Sequence, residues 1–309
     1  MALDLIQMET FLAVAEERSF SRAAARLHRT PPAVSQAIAK LEGELGEVLF
    51  ERSSRDGTLT DAGEVLREYA AKLLNLRNEA AGALTELRAL HRGRLNMAAN
   101  EYTCLYLLPL LDEFRRQNPR IKLAVQRSLA SRIPDEVLMH SVELGVLSFR
   151  PDDAQVKSMV VYRDEMAFVV NPKHPLASSE KVSIRQLGAQ NFIAHNISSP
   201  QRLKVIQTFK RHKTPLQMGV ELPSLEAIKR FVEMGNGVAL VPGLTVRTEL
   251  QSGALVKVHV PELQIERKLR LVYRRQAGLS HAALAFLKVV EDYAAAHGDP
   301  YCFQPERGV

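Results

Sequence analysis

His28–Phe50 reads HRTPPAVSQAIAKLEGELGEVLF, and its one proline pair decides how the chain begins. After the prolines, Val34, Ile38, Leu41 and Leu45 recur at steps of four, three and four, one face of a helix. Prolines are tolerated only where no helical amide is missed. Thr30 therefore reads as the N-cap, its hydroxyl accepting from a first-turn amide. Pro31 then stands at the first helical position, and Pro32 loses no internal bond because the first four amides have none. Pro32 disfavours helical angles at Pro31, so the start can move by one residue. Thr30, Pro31, Pro32, Ser35, Gln36 and Lys40 are left on the outer side. A glutamine amide matches the edge of adenine in the major groove, a serine hydroxyl serves base or phosphate, and a proline ring offers apolar surface to a thymine methyl. Taken alone, such a face is also what any solvated helix carries.

The neighbouring segments give that face a context. LIQMETFLAVAEE puts Leu5, Met8, Phe11, Leu12 and Ala15 on one side of a first helix. SRAAARLH starts a short second helix at Ser21, and a tight turn leads into the third. Two short helices joined this way form a helix-turn-helix. Downstream, Leu49–Arg52 and Thr58–Thr60 flank Asp56-Gly57, a hairpin signal. This hairpin would be a wing that carries Arg52 and Arg55 to phosphate or minor groove. Charge agrees locally rather than globally. The chain has a net charge of +6, yet residues 1–90 hold 11 basic and 14 acidic side chains. From Arg18 to Leu41 there are five basic residues, Arg22 among them, and no acidic one.

From Ala62 a heptad seam runs through Leu66, Tyr69, Leu73, Leu76, Ala80, Ala83, Leu87 and Leu90. One helix cannot bury such a stripe by itself. It packs either on its own domain or, the reading preferred here, on a second copy in a two-fold dimer.

FLAVAEERSFSRAAARLHRTPPAVSQAIAKLEGELGEVLFER, followed by LTDAG, resembles the N-terminal signature of the LysR-type transcriptional regulators. The match is close over residues 3–66 and weaker beyond. The resemblance implies an α/β multidomain chain: a winged helix-turn-helix DNA-binding domain (1–60), a long dimerisation linker helix (61–90), a hinge (91–93) and a periplasmic-binding-protein-like effector domain (94–300). That domain would have two lobes, 94–163 with 268–296 and 164–267, and a tail would follow at 301–309. Many relatives carry glutamine where Pro31 stands and contact DNA with it. Pro31 has no polar group, so that contact does not transfer. Promoter DNA, a small-molecule effector, a homodimer and a homotetramer are the partners implied, with RNA polymerase as a further one. The implied location is the cytoplasm.

Beyond the hinge, the runs RLNMAAN, KLAVQRS, ELGVLSF, MAFVVNP, GVALVPG and LRLVYRR read as strands between helical stretches, which argues for mostly parallel α/β structure. Ligands bind such sheets beyond the carboxyl ends of the strands. On the implied two-lobed plan, Asn100, Tyr102, Thr103, Ser128, Ser131, Ser148, Arg150, Asn196, Ser198, Ser199 and Ser224 fall on cleft loops. Each also serves as an ordinary loop or cap residue. Arg127, Arg150 and Arg202 near those loops favour an anion, a carboxylate or a phosphate ester, although arginines in such places equally serve as solvated surface.

Other classes find little support. The sequence has no GxGxxG, GxSxG, HExxH or P-loop, so no catalytic residues, metal or cofactor are expected beyond the effector. Its two cysteines, Cys104 and Cys302, form no metal or redox motif. A ligand-binding scaffold that never touches DNA is disfavoured by the basic run and the wing arginines. No apolar run approaches the roughly 20 residues of a membrane span.

Overall fold

The computed structural model describes residues 4–51, 57–88, 93–197, 199–276 and 278–306, the side chains of 83 and 85–88 excepted. The chain divides into two compact units, Met1–Gly93 with Met139–Ser141, and the remainder.

The first unit starts with α1 (Leu5–Glu17), capped by the Asp4 carboxylate on the Ile6 amide at 3.0 Å. α2 (Phe20–Arg26) begins one residue earlier than its sequence suggests, because Ser19 rather than Ser21 supplies the cap, accepting from the Arg22 amide at 3.3 Å. A left-handed His28 turns the chain into α3 (Pro31–Leu45). Pro31 opens the helix as expected, but the Thr30 hydroxyl makes no capping bond. A cap hydroxyl accepts from the second or third amide, and Pro32 has removed the second. Thr30 contributes its carbonyl instead, to the Val34 amide at 3.2 Å.

Met8, Phe11, Val14, Ala23, Ala24, Val34, Ile38 and Leu41 form the core of this unit. Phe50 closes it, its ring centroid 5.4 Å from Phe11 and 5.5 Å from Phe20. Such aromatic pairs add about 0.5–1.5 kcal/mol each beyond area burial. The base of the wing is present: Phe50 bridges Leu59 antiparallel, and the Glu51 amide donates to the Thr58 carbonyl at 2.9 Å. Arg52, Arg55 and Asp56 lie outside the described residues.

α4 (Asp61–Arg88) starts where the Thr60 hydroxyl takes the Gly63 amide at 3.1 Å. Gly63 packs so tightly that an added Cβ would sit 2.2 Å from the Leu49 carbonyl oxygen. At about 1.5 Å per residue the helix is about 42 Å long. The apolar residues of the helix divide into two groups, the seam giving Ala62 and Leu66 to one and Tyr69 and Leu76 to the other. Ala62, Leu66, Ala70 and Leu74 pack on the unit's own core, whereas Val65, Tyr69, Leu76 and Leu84 remain exposed. The early members Ala62 and Leu66 thus follow the own-domain alternative. Leu90 and the side chains of Ala83 and Leu87 lie outside the described residues.

The second unit runs β1 (Arg94–Ala99), α5 (Glu101–Gln117), β2 (Lys122–Arg127), α6 (Ile133–Leu138), β3 (Leu144–Leu147), β4 (Val156–Val170), β5 (Asn191–His195), α7 (Pro200–Arg211), β6 (Gln217–Leu222), α8 (Leu225–Glu233), β7 (Ala239–Pro242), α9 (Arg247–Ser252), β8 (Val256–Lys257), β9 (Glu266–Arg274), α10 (His281–His297) and β10 (Tyr301–Pro305). The first lobe has the strand order β10-β4-β9-β3-β1-β2. Met97, Leu107, Phe114, Leu144, Leu271 and Phe286 belong to the core under α5 and α10. The second lobe joins β5 and β6 to β7, β8 and the second half of β4, with Phe168, Phe192, Phe209, Ile228 and Val241 inside.

Two expectations change here. The sheet is mixed: β1–β2, β1–β3 and β5–β6 are parallel, while every pairing of β4 and β9 is antiparallel. β4 and β9 are the two crossings between lobes and run in opposite directions, so they pair antiparallel with each other. The tail is also no tail through Pro305, since Tyr301–Pro305 forms β10 against β4. Glu306 anchors its end, bonded by Ser158 at 2.5 Å and by Arg270 at 3.0 Å.

The crossing itself holds a buried charge pair. Asp164 of β4 stands directly opposite Arg267 of β9 in the register, with Arg267 Nη1 2.9 Å from Asp164 Oδ2. Their side chains are only 3% and 5% exposed, arginine first. Asp164 also accepts from the Leu244 amide at 3.1 Å.

Candidate DNA-contact face and ligand cavity

Thr30, Pro31, Pro32, Ser35, Gln36 and Lys40 are all exposed, while Val34, Ile38 and Leu41 of the same helix are buried. The outer side of α3 is therefore free for an external partner. Its first two residues lack amides, which leaves Ala33 as the first donor toward a phosphate. Lys40 lies 3.7 Å from Glu44 on the exposed surface, a pair worth little. Arg22 donates to the Glu17 carbonyl, and Arg26 sits 2.6 Å from Glu16. The acid-free run in the sequence is thus partly neutralised in space by the end of α1. The Glu16 carboxylate, through hydrogen bond and charge, raises the Arg26 guanidinium further.

Between the two lobes lies a cavity of about 530 Å³. Three helices start at its wall. Asn100 Oδ1 caps α5, accepting from Tyr102 and Thr103 amides at 3.0 and 2.9 Å. Ser199 caps α7 through the Arg202 amide at 3.1 Å, and Ser224 caps α8 through the Ala227 amide at 3.2 Å. Helix starts carry positive partial charge and unpaired amides, so their convergence favours an anion. Arg127, Arg202 and Arg267 also line the space. Arg202 is tied to Glu221 and to the His195 carbonyl, and Arg267 to Asp164. Much of the remaining wall is apolar, with Phe149, Phe192, Ile193, Met218 and Leu240.

Of the residues expected at a cleft, Asn100, Tyr102, Ser128, Ser131, Ser148 and Ser199 reach the cavity wall. Several are already engaged. Ser128 donates to Glu136 at 2.7 Å, and Gln201 Nε2 donates to the Ser148 carbonyl at 2.9 Å, a tie from lobe to lobe. The others stand elsewhere. Thr103 is fully buried behind the wall, its hydroxyl accepting from the Asn100 amide and donating to the Val146 carbonyl. Arg150 is outside the wall and acts on Glu306. Asn196 is exposed, its amide bonded to the Leu222 carbonyl at 3.1 Å. Ser224 sits one residue behind the lining Leu225. Ser198 lies outside the described residues.

Glu101, His195, Gln201 and Arg267 were not expected in the wall. Arg267 had a signal: it falls in phase with the buried Leu269 and Leu271, where a strand normally places an apolar residue. His195 packs its ring on Tyr102 at 5.5 Å. Burial lowers the His195 imidazole despite Glu101, so it is neutral at neutral pH. Burial, then Glu101, pushes the Tyr102 phenol far above its ordinary value. Among the described residues no group of three or more His, Cys, Asp or Glu is placed to hold a metal. Burial raises the thiols of Cys104 and Cys302, away from the reactive thiolate. No described helix is long and apolar enough to cross a membrane.

Two family models match the chain. Residues 5–64 match the bacterial regulatory helix-turn-helix protein model of the lysR family, and residues 88–295 the LysR substrate binding domain. A probable RuBisCO transcriptional regulator of Synechocystis sp. is 31% identical, the alignment covering 98% of this chain and 89% of that protein. Among solved structures, full-length CbnR complexed with its target DNA superposes with a TM-score of 0.71 at 18% identity, over 94% of this chain and 99% of that one. The regulatory domain of Synechocystis PCC6803 CcmR in complex with 2-PG gives 0.61 at 24% identity, over 67% of this chain and 99% of that domain.

Proposed function

The chain belongs to the LysR family of DNA-binding transcriptional regulators, and we propose that it reads its promoter with the outer side of α3 and is controlled by a small anion held between its lobes. The observation that carries the anion is the convergence of three helix starts and three arginines on one cavity of about 530 Å³. The complex of CcmR with 2-PG, a protein of the same fold, supports the same reading. The family makes the protein a regulator rather than an enzyme.

In this reading Ser35 and Gln36 contact bases, Pro31 meets a thymine methyl, and Thr30, Lys40, Arg22 and the wing residues Arg52 and Arg55 face the backbone. Val65, Tyr69, Leu76 and Leu84, left exposed along α4, meet the same stripe of a second copy, and dimers pair into a tetramer. RNA polymerase is the partner downstream of promoter binding, and the site of action is the cytoplasm. The effector shifts the lobes only by binding two arrangements unequally.

The test is a titration of the full chain with 2-PG, inorganic phosphate and benzoate, following thermal stability and then the footprint on promoter DNA. The relatives' names make a RuBisCO operon promoter the first DNA to use. Stabilisation by an anion with a changed footprint is expected. No stabilisation by any of the three and an unchanged footprint reject the effector reading.

A further inference from the structure

A negative charge already occupies the place where an anion belongs. Glu101 opens α5 in the first lobe, and its Oε1 accepts from the Leu225 amide, the first of α8 in the second lobe, at 3.0 Å. That amide has no partner within its own helix, and the Ser224 hydroxyl is spent on Ala227 instead. The carboxylate therefore stands at the positive ends of two helices, its own and α8, a favourable point for a negative charge. Its other oxygen fits badly. Oε2 is buried without a hydrogen-bond partner, and its neighbour His195 Nε2 lies 4.0 Å away, beyond bonding reach. The Nδ1 of that ring is in use, accepting from the Ile197 amide at 3.1 Å. A carboxylate satisfied on one side and stranded on the other is held weakly. The side chain is 31% exposed, so a path outward is open.

An entering anion meets this arrangement with few alternatives. Arg202 and Arg267 are already paired with Glu221 and Asp164, which leaves Arg127 and the start of α7 as the other positive groups on the wall. If Glu101 stayed, a second negative charge would share its site with it. If Glu101 leaves, the anion inherits the Leu225 amide and the field of both helices. We infer that Glu101 is a tethered placeholder for the effector's anionic group, binding the start of α8 until the effector exchanges with it. This rests on the cavity being the effector site. Because Glu101 belongs to one lobe and Leu225 to the other, the exchange also cuts a direct tie between lobes and substitutes one made through the ligand.

The experiment uses the full chain, Glu101→Ala, and Glu101→Gln, which keeps the shape and an acceptor oxygen for Leu225 without the charge. Amide exchange at Leu225 and calorimetric titration with 2-PG, inorganic phosphate and benzoate are measured on all three. In the native chain the Leu225 amide is protected. In Glu101→Ala it exchanges faster, and an anion restores its protection. Both variants bind the anion at least about tenfold more tightly, the effect of removing one like charge at short range. Equal or weaker anion binding in both variants overturns the exchange while leaving the cavity reading intact. An unchanged Leu225 exchange rate in Glu101→Ala overturns the tie itself. Absence of binding by any of the three anions to any of the three proteins removes the cavity reading, and the exchange falls with it.

Discussion

The outer side of α3 and the cavity between the lobes solve the same problem, presenting polar groups to a partner, in opposite ways. On α3 the exposed residues Thr30 to Lys40 share one helix whose inner side is fixed by Val34, Ile38 and Leu41. Ser35 and Gln36 do no structural work there, so replacing either alters a contact and little else. At the cavity, Asn100 and Ser199 in the wall and Ser224 just behind it hold helices in place, Ser128 holds Glu136, and Gln201 joins the lobes. Replacing any of these changes architecture and contact together. The difference teaches that a loss of response from a cavity variant is ambiguous until its stability is measured, whereas a loss of recognition from an α3 variant is not.

The largest effect expected is at the crossing. Asp164→Ala leaves the Arg267 guanidinium buried without its partner and should cost about 3–5 kcal/mol of the second unit's stability, read by urea denaturation. A loss under 1 kcal/mol would mean that water or Tyr102 compensates, and the crossing would no longer be the sensitive side of the contrast. Gly63→Ala comes next, because the new methyl meets the Leu49 backbone rather than a side chain that can swing aside. It should destabilise the first unit by about 1–3 kcal/mol. Gln36→Ala should lower discrimination between operator and random DNA by about 1–3 kcal/mol while leaving the denaturation midpoint unmoved. Equal weakening on both DNAs would remove Gln36 as a base reader. The smallest effect concerns pH. Burial pushes the Glu306 carboxyl up, but hydrogen bonds from Arg270 and Ser158 outweigh it and hold it below 4.5. The resulting stabilisation of β10 is complete above pH 4.5 and is lost as pH falls through the depressed folded value. Amide exchange along β10 should therefore accelerate in acid, and Glu306→Gln should flatten that dependence.

The first unit was largely legible because its signals are local: a heptad, a proline pair, a hairpin turn, each within a few residues of what it controls. Where the reading failed, a tertiary fact intervened. Pro32 removed one of the two amides the Thr30 hydroxyl could take, and Ala62 and Leu66 of the α4 seam were taken by their own unit's core. In the second unit, MAFVVNP revealed only the end of β4, since Arg163, Asp164 and Glu165 interrupt the apolar pattern at the crossing. The short strands β5 and β6 carry polar residues on exposed sides and were missed. Cap residues pointed to the cavity, because helix starts cluster there. Glu101 carried no signal and Arg267 only its apolar phase in β9, since a charge beside a helix start or in a strand reveals its partner only after distant segments meet.

β4 belongs to both lobes at once. Val156–Tyr162 packs within the first lobe and Met166–Val170 within the second, in one continuous strand. Neither hydrophobic centre can melt without fraying the ladder that supports its neighbour. The second unit should therefore give a single calorimetric endotherm with a van't Hoff enthalpy matching the measured heat, although it has two lobes, and neither lobe should survive as an autonomous fragment.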